Sequence, residues 1–229
     1  MSAVESGERI RVLLVDDQAL FRAGVRMLVG SQPDLEFAGE AANGAEGVML
    51  ARETLPDVVL MDIRMPVMDG IAATTEIVES AEREGRKAPR IVVLTTFDLD
   101  ESAARAIRGG ASGFVLKDAE PEFLLAAIRT VHAGSAVIAA GATRELFQYF
   151  SSGEAVKPRP SEFENLTARE REIFVLAARG LSNAEIASTE FLSEATVKTH
   201  ISRILSKLAL RDRVQMVVYA FEHGLTSDE

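Results

Sequence analysis

At 229 residues, 47% of them hydrophobic, the chain is long enough for two modest domains with real cores. It has no cysteine, which excludes disulfides and thiolate chemistry, and neither a secretory signal nor an eighteen-residue apolar run is read, so a cytoplasmic protein with no membrane partner is expected. The net charge of −10 argues against coating nucleic acid along the whole surface, yet it is uneven: residues 1–133 hold 14 basic against 22 acidic groups, while 196–213 hold five basic groups against Asp212 alone.

In chain order, IRVLLVD (10–16), LEFAGEA (35–41), VVLMD (58–62), IVVLTT (91–96) and GFVLK (113–117) are predicted strands. Val58, Val59, Leu60 and Met61 form a continuous apolar run, as expected of a strand covered on both faces. Periodic stretches at 19–30, 45–54, 70–83, 101–109 and 121–132 are predicted helices. Five such units predict an α/β, flavodoxin-like, doubly wound (βα)5 domain over residues 8–133. From 134 to 165 the pattern breaks into a linker, with a short helix predicted over 143–150 and two prolines after it.

From 166 to 225 a small all-α domain of four helices is expected. Thr167 with Glu170, and Ser182 with Glu185, fit capping boxes, and Ser193 suits the start of a third helix. Leu181 with Ile186, and Leu192 with Val197, make hydrophobic staples, while Gly180 and Gly224 suit helix ends. On the helix predicted over 194–208, Val197, Ile201, Ile204, Leu205 and Leu208 form one apolar stripe. Thr199, Ser202, Arg203 and Ser206 lie opposite it, with Lys198 and Lys207 at its flanks, a face suited to the major groove of DNA.

Chemistry is expected at the carboxyl ends of the strands, where open α/β sheets bind ligands. Strand one ends on Asp16 and Asp17, strand three on Asp62, strand four on Thr95 and Thr96, and strand five on Lys117. Three converging carboxylates repel one another unless a cation is present, and an oxygen-only set favours a hard ion such as Mg²⁺.

These residues, and DIRMPVMDG (62–70) in particular, resemble the receiver domain of bacterial two-component response regulators over residues 10–132. The resemblance implies that Asp62 accepts a phosphoryl group from a sensor histidine kinase. Asp16, Asp17, Asp62 and the Arg64 carbonyl would then hold Mg²⁺, Thr95 and Phe114 would form a switch, and Lys117 would contact the phosphate. Arg64 and Phe97 match positions that flank the attacking water, which implies slow self-dephosphorylation. The stretch LTAREREIFVLAARGLSNAEIA…LSEATVKTHISRILSKLALRDR resembles the LuxR-type helix-turn-helix. Together the halves resemble the NarL/FixJ family.

That resemblance implies a phosphorylation-dependent transcription regulator, not an enzyme, which binds double-stranded promoter DNA as a homodimer. Thr196, Lys198, Thr199, Ser202, Arg203 and Lys207 would contact the DNA, and RNA polymerase is a further partner the reading allows. Exposed members of Val214, Val217, Val218 and Phe221 would pair the DNA-binding domains. At Glu190 the family places an apolar residue; either Phe191 supplies that volume or the turn rearranges. Two other readings remain: the same architecture working without phosphorylation, and an Asp-nucleophile phosphatase, which needs a second Asp where Arg64 stands.

Overall fold

The computed structural model describes residues 9–95, 101–134 and 158–225, with the side chains of 101–104 left aside. The chain divides into two compact units near Ala133. Phe97, Thr96 and the helix predicted over 143–150 lie outside the described residues.

The first unit alternates β1 (Ile10–Val15), α1 (Ala19–Gly30), β2 (Leu35–Ala41), α2 (Gly44–Thr54), β3 (Val58–Asp62), α3 (Gly70–Arg83), β4 (Arg90–Thr95), α4 (Glu101–Arg108), β5 (Gly113–Leu116) and α5 (Pro121–His132). The strands form one parallel sheet in the order β2-β1-β3-β4-β5. Each apolar run explains itself by what covers it. Val12, Leu14, Val58, Leu60, Val92, Leu94 and Val115 face one way, onto Val25 and Val29 of α1 and Leu125 and Ile128 of α5. The alternate residues Leu13, Val15, Val59, Met61, Ile91 and Val93 are equally buried, and α2 packs close on this side because Gly47 leaves room for Val15.

The strand order puts the ends of β1 and β3 side by side, with Val15 opposite Met61. Asp16 and Asp62 each follow directly from that pair, so the two strands deliver both carboxylates to one rim.

The second unit holds a 3-10 turn (Ser161–Asn165), then α6 (Ala168–Ala178), α7 (Asn183–Glu190), α8 (Glu194–Lys207) and α9 (Arg213–Glu222). Both capping boxes form, and Ser193 caps α8. Ile173, Phe174, Ile186, Val197, Ile204 and Met216 make the core. Within the stretch read as linker, the 3-10 turn sends Phe163 into this same core, edge-on to Phe174 at 5.1 Å.

The last helix is more covered than the expectation assumed. Val214, Val217 and Val218 are 1%, 7% and 6% exposed and Phe221 is half-buried, although none of the four belongs to the core of the second unit.

Candidate phosphoacceptor site and DNA-reading helix

The acidic site is built from three strand ends. Oxygens of Asp16, Asp17 and Asp62 lie within 4.8 Å of one another. Asp16 is fully buried and Asp62 nearly so, whereas Asp17 is exposed at the mouth. Local hydrogen bonds aim the carboxylates. The Gln18 amide donates to Asp16 Oδ1 at 2.8 Å, and the Arg22 guanidinium donates to the Asp16 carbonyl at 2.8 Å. The Arg64 amide lies 3.3 Å from Asp62 Oδ1.

Lys117 enters from the end of β5. Its Nζ stands 2.7 Å from Asp16 Oδ2 and 2.8 Å from Asp62 Oδ2, with the side chain 7% exposed. Burial pushes the Asp62 carboxyl above the usual carboxylate range, more than the Lys117 contact pulls it down. Burial works against the Lys117 ammonium too, but its bonds to Asp16 and Asp62 outweigh that and raise its pKa. Three carboxylates against one ammonium leave two negative charges, the charge a divalent cation brings. The donor set therefore fits a hard divalent metal.

The loop after β3 explains the motif there. Asp69 caps α3 through the Ala72 amide at 2.7 Å, and the Gly70 amide donates back to the Ile63 carbonyl at 2.9 Å. Val67, at the crest, has φ of 68° and is 87% exposed. Thr95 ends β4, and its carbonyl accepts from the Lys117 amide at 2.8 Å. Phe114 lies on β5, 2% exposed, within the core.

In the second unit, α8 buries Val197, Ile201 and Ile204 and exposes Lys198, Thr199, Ser202 and Arg203. Two residues expected to contact DNA also have partners within the unit. Thr196 is half-buried, its hydroxyl 2.8 Å from that of Ser193 at the cap. Lys207, still exposed, donates to Glu170 Oε2 at 2.7 Å and the Asn165 carbonyl at 3.2 Å. Burial opposes the charge on Glu170, yet Lys207 and Thr167 hold its pKa down at about 2. Arg213, counted in the basic segment, donates to the Leu181 carbonyl and Asn183, and burial lowers its pKa to about 10.

The departure at Glu190 is also resolved. Phe191 is 95% exposed, so it supplies no apolar volume. Instead Glu190 ends α7 with its carboxylate paired to Arg169, which also donates to the Glu190 carbonyl at 2.8 Å. Phe191 takes a left-handed backbone, and Leu192 packs on the core. The turn survives because an ion pair stands where an apolar contact was expected.

Residues 12–129 match the family model described as the response regulator receiver domain, and residues 164–220 match that of the bacterial regulatory proteins, luxR family. The chain belongs to the two-component response regulators with a LuxR-type DNA-binding domain. Relatives of this response regulator include the uncharacterized transcriptional regulatory protein YxjL of Bacillus subtilis, 39% identical over 95% of this chain and 98% of that one. Another is the response regulator protein VraR of Staphylococcus epidermidis, 39% identical over 94% of this chain and 98% of that one. Among solved structures, the response regulator ChrA of a heme-sensing two-component system is 35% identical, with a TM-score of 0.50 over 96% of this chain and 100% of that one. The family is one of transcriptional regulators, not of enzymes. No described helix of this response regulator is long and apolar enough to cross a membrane.

Proposed function

We propose that this response regulator accepts a phosphoryl group on Asp62 from a sensor histidine kinase, then pairs with a second copy and binds promoter DNA at two half-sites. One observation carries the reading. Asp62 has a strand-end position, two neighbouring carboxylates within 4.8 Å and a lysine ammonium at 2.8 Å; Asp16 shares all three but is fully buried, with its Oδ1 taken by the Gln18 amide at 2.8 Å.

The chemistry follows from those groups. A carboxylate is a modest nucleophile, but phosphoryl transfer depends mainly on positioning and charge neutralisation. An Asp62 oxygen attacks phosphorus while the phosphorus–nitrogen bond of the donor histidine breaks. The imidazole leaves with the bonding electron pair and is protonated by solvent. Lys117 meets the charge that arrives on a phosphoryl oxygen. Asp16, Asp17, Asp62 and the Arg64 carbonyl would hold Mg²⁺, which would supply the remaining charge neutralisation. The Thr95 hydroxyl then turns towards the phosphoryl group, and Phe114 follows into the space it leaves, a two-state response to one local charge.

On the DNA side, α8 is the reading helix, with Lys198, Thr199, Ser202 and Arg203 outward. Few cations stand there, and Lys207 and Arg213 are shared with groups inside the unit. One such domain binds weakly, and linking two makes the second contact intramolecular, a gain of roughly two to four orders of magnitude.

Incubation with Mg²⁺ and a small phosphodonor, followed by intact-mass measurement, tests the assignment. The wild-type chain is expected to gain one acid-labile phosphoryl group and Asp62→Asn none. Acid-labile phosphate persisting in Asp62→Asn would overturn it.

A further inference from the structure

Lys117 touches something besides the two carboxylates. Its ammonium stands 5.1 Å from the centroid of the Phe21 ring. Phe21 lies on α1, one turn beyond Asp17, half-buried against the core that α1 and α5 share. Phe21 and Lys117 also border a cavity of about 490 Å³, walled further by Leu28, Leu94, Leu116 and Leu124 and by none of the three aspartates. Lysine is a point charge on a flexible four-carbon stem, and here that stem has apolar room beside it.

We propose that Phe21 is a positioning residue for phosphoryl transfer, its ring holding the Lys117 ammonium over Asp16 and Asp62 and closing off the neighbouring cavity. The inference rests on the reading of Lys117 as the group that meets the incoming phosphoryl oxygen. Two properties of the side chain matter. The ring quadrupole attracts a cation over its face, and the ring bulk denies the stem an alternative seat. The acids pull Lys117 from one side, and the ring limits its travel as it shifts from Asp62 Oδ2 to a phosphoryl oxygen. A leucine at position 21 keeps most of the bulk without the quadrupole, whereas a tyrosine keeps both.

The experiment measures the initial rate of phosphorylation of the full chain by acetyl phosphate with Mg²⁺. Phe21→Tyr and Phe21→Leu are compared in the wild-type background and in Lys117→Met, with thermal melts confirming that each variant folds. Phe21→Leu is expected to slow the reaction roughly three- to tenfold, the scale of a desolvated cation–ring contact, while Phe21→Tyr retains most of the rate. In Lys117→Met the same leucine substitution is expected to cost nothing further. An unchanged rate in Phe21→Leu, or an equal loss in both backgrounds, overturns the positioning role and leaves Lys117 in place. An unchanged rate in Lys117→Met overturns both readings. A purely space-filling role predicts that leucine and tyrosine behave alike, and that result also overturns the proposal.

Discussion

Gly70 packs so tightly beneath Asp62 that a Cβ placed on it would fall inside the van der Waals envelope of the Asp62 carbonyl oxygen, with the Met61 side chain also in its way. The glycine is therefore part of the acidic site, although it contributes no side chain. Gly70→Ala is expected to destabilise the first unit by about 1–3 kcal/mol, the usual cost of overpacking. It should also slow phosphorylation, because relief comes by moving the end of β3. A urea melt and a phosphodonor assay on the variant check both effects, and wild-type values in both would contradict this packing.

Val67 is the opposite case, a residue whose side chain works against its backbone. A β-branched residue at φ of 68° is strained, and Val67 is 87% exposed, so its burial offsets little of the strain. Val67→Gly is expected to stabilise the receiver by about 0.5–1 kcal/mol. Thermal unfolding of the variant reads this directly, and a lower melting temperature would mean the side chain contributes something more.

Lys207 and Lys198 should differ in how they affect DNA binding. Lys198→Ala or Arg203→Ala is expected to reduce the slope of log affinity against log salt by about one, since each removes one phosphate contact. Lys207→Met should leave the slope unchanged and destabilise the second unit, because it strands the nearly buried Glu170. The pH dependence follows in sign. With its folded pKa at about 2 instead of 4.5, Glu170 adds stability that is fully present above about pH 4.5 and is lost as pH falls towards 2. Acid titration of stability in Lys207→Met should show a smaller loss over that window than the wild-type chain.

Arg64 bears on the lifetime of the phosphorylated form. It follows Asp62 by two residues and is exposed, and a long cation there is a poor group for activating water. Slow self-dephosphorylation is expected, with Arg64→Asn combined with Phe97→Glu shortening the lifetime severalfold. If the decay of acid-labile phosphate is the same in the double variant, these residues do not govern it.

Strand and helix positions in the first unit were legible because each apolar run has a period set by what covers it, and the observed bounds of β2, β3, α1, α3 and α5 coincide with the predicted ones. Asp16, Asp17, Asp62 and Lys117 were legible for a related reason: strand ends in a parallel sheet share a rim. What escaped sequence reasoning depends on side-chain direction. Lys207 reads as a flank of the DNA face, and helical spacing says nothing of its ion pair with the acid at the start of α6. The last helix looked partly open, yet Val214, Val217 and Val218 are buried. Phe21 carried no signal, since an aromatic on an amphipathic helix reads as core. The backbone of Val67 was hidden for the same reason that makes it costly, as valine is the wrong residue for a left-handed turn.

The central claim is that charge added at Asp62 makes DNA binding bivalent. Sedimentation and footprinting of the full chain on promoter DNA, with Mg²⁺ and with or without a phosphodonor, test it most directly, using Asp62→Asn as the control. The account predicts that phosphorylation converts a weak, salt-sensitive complex into a dimer protecting two half-sites of approximate two-fold symmetry, and that Asp62→Asn stays in the weak state. A phosphorylated chain that remains monomeric on DNA and protects a single half-site would contradict it.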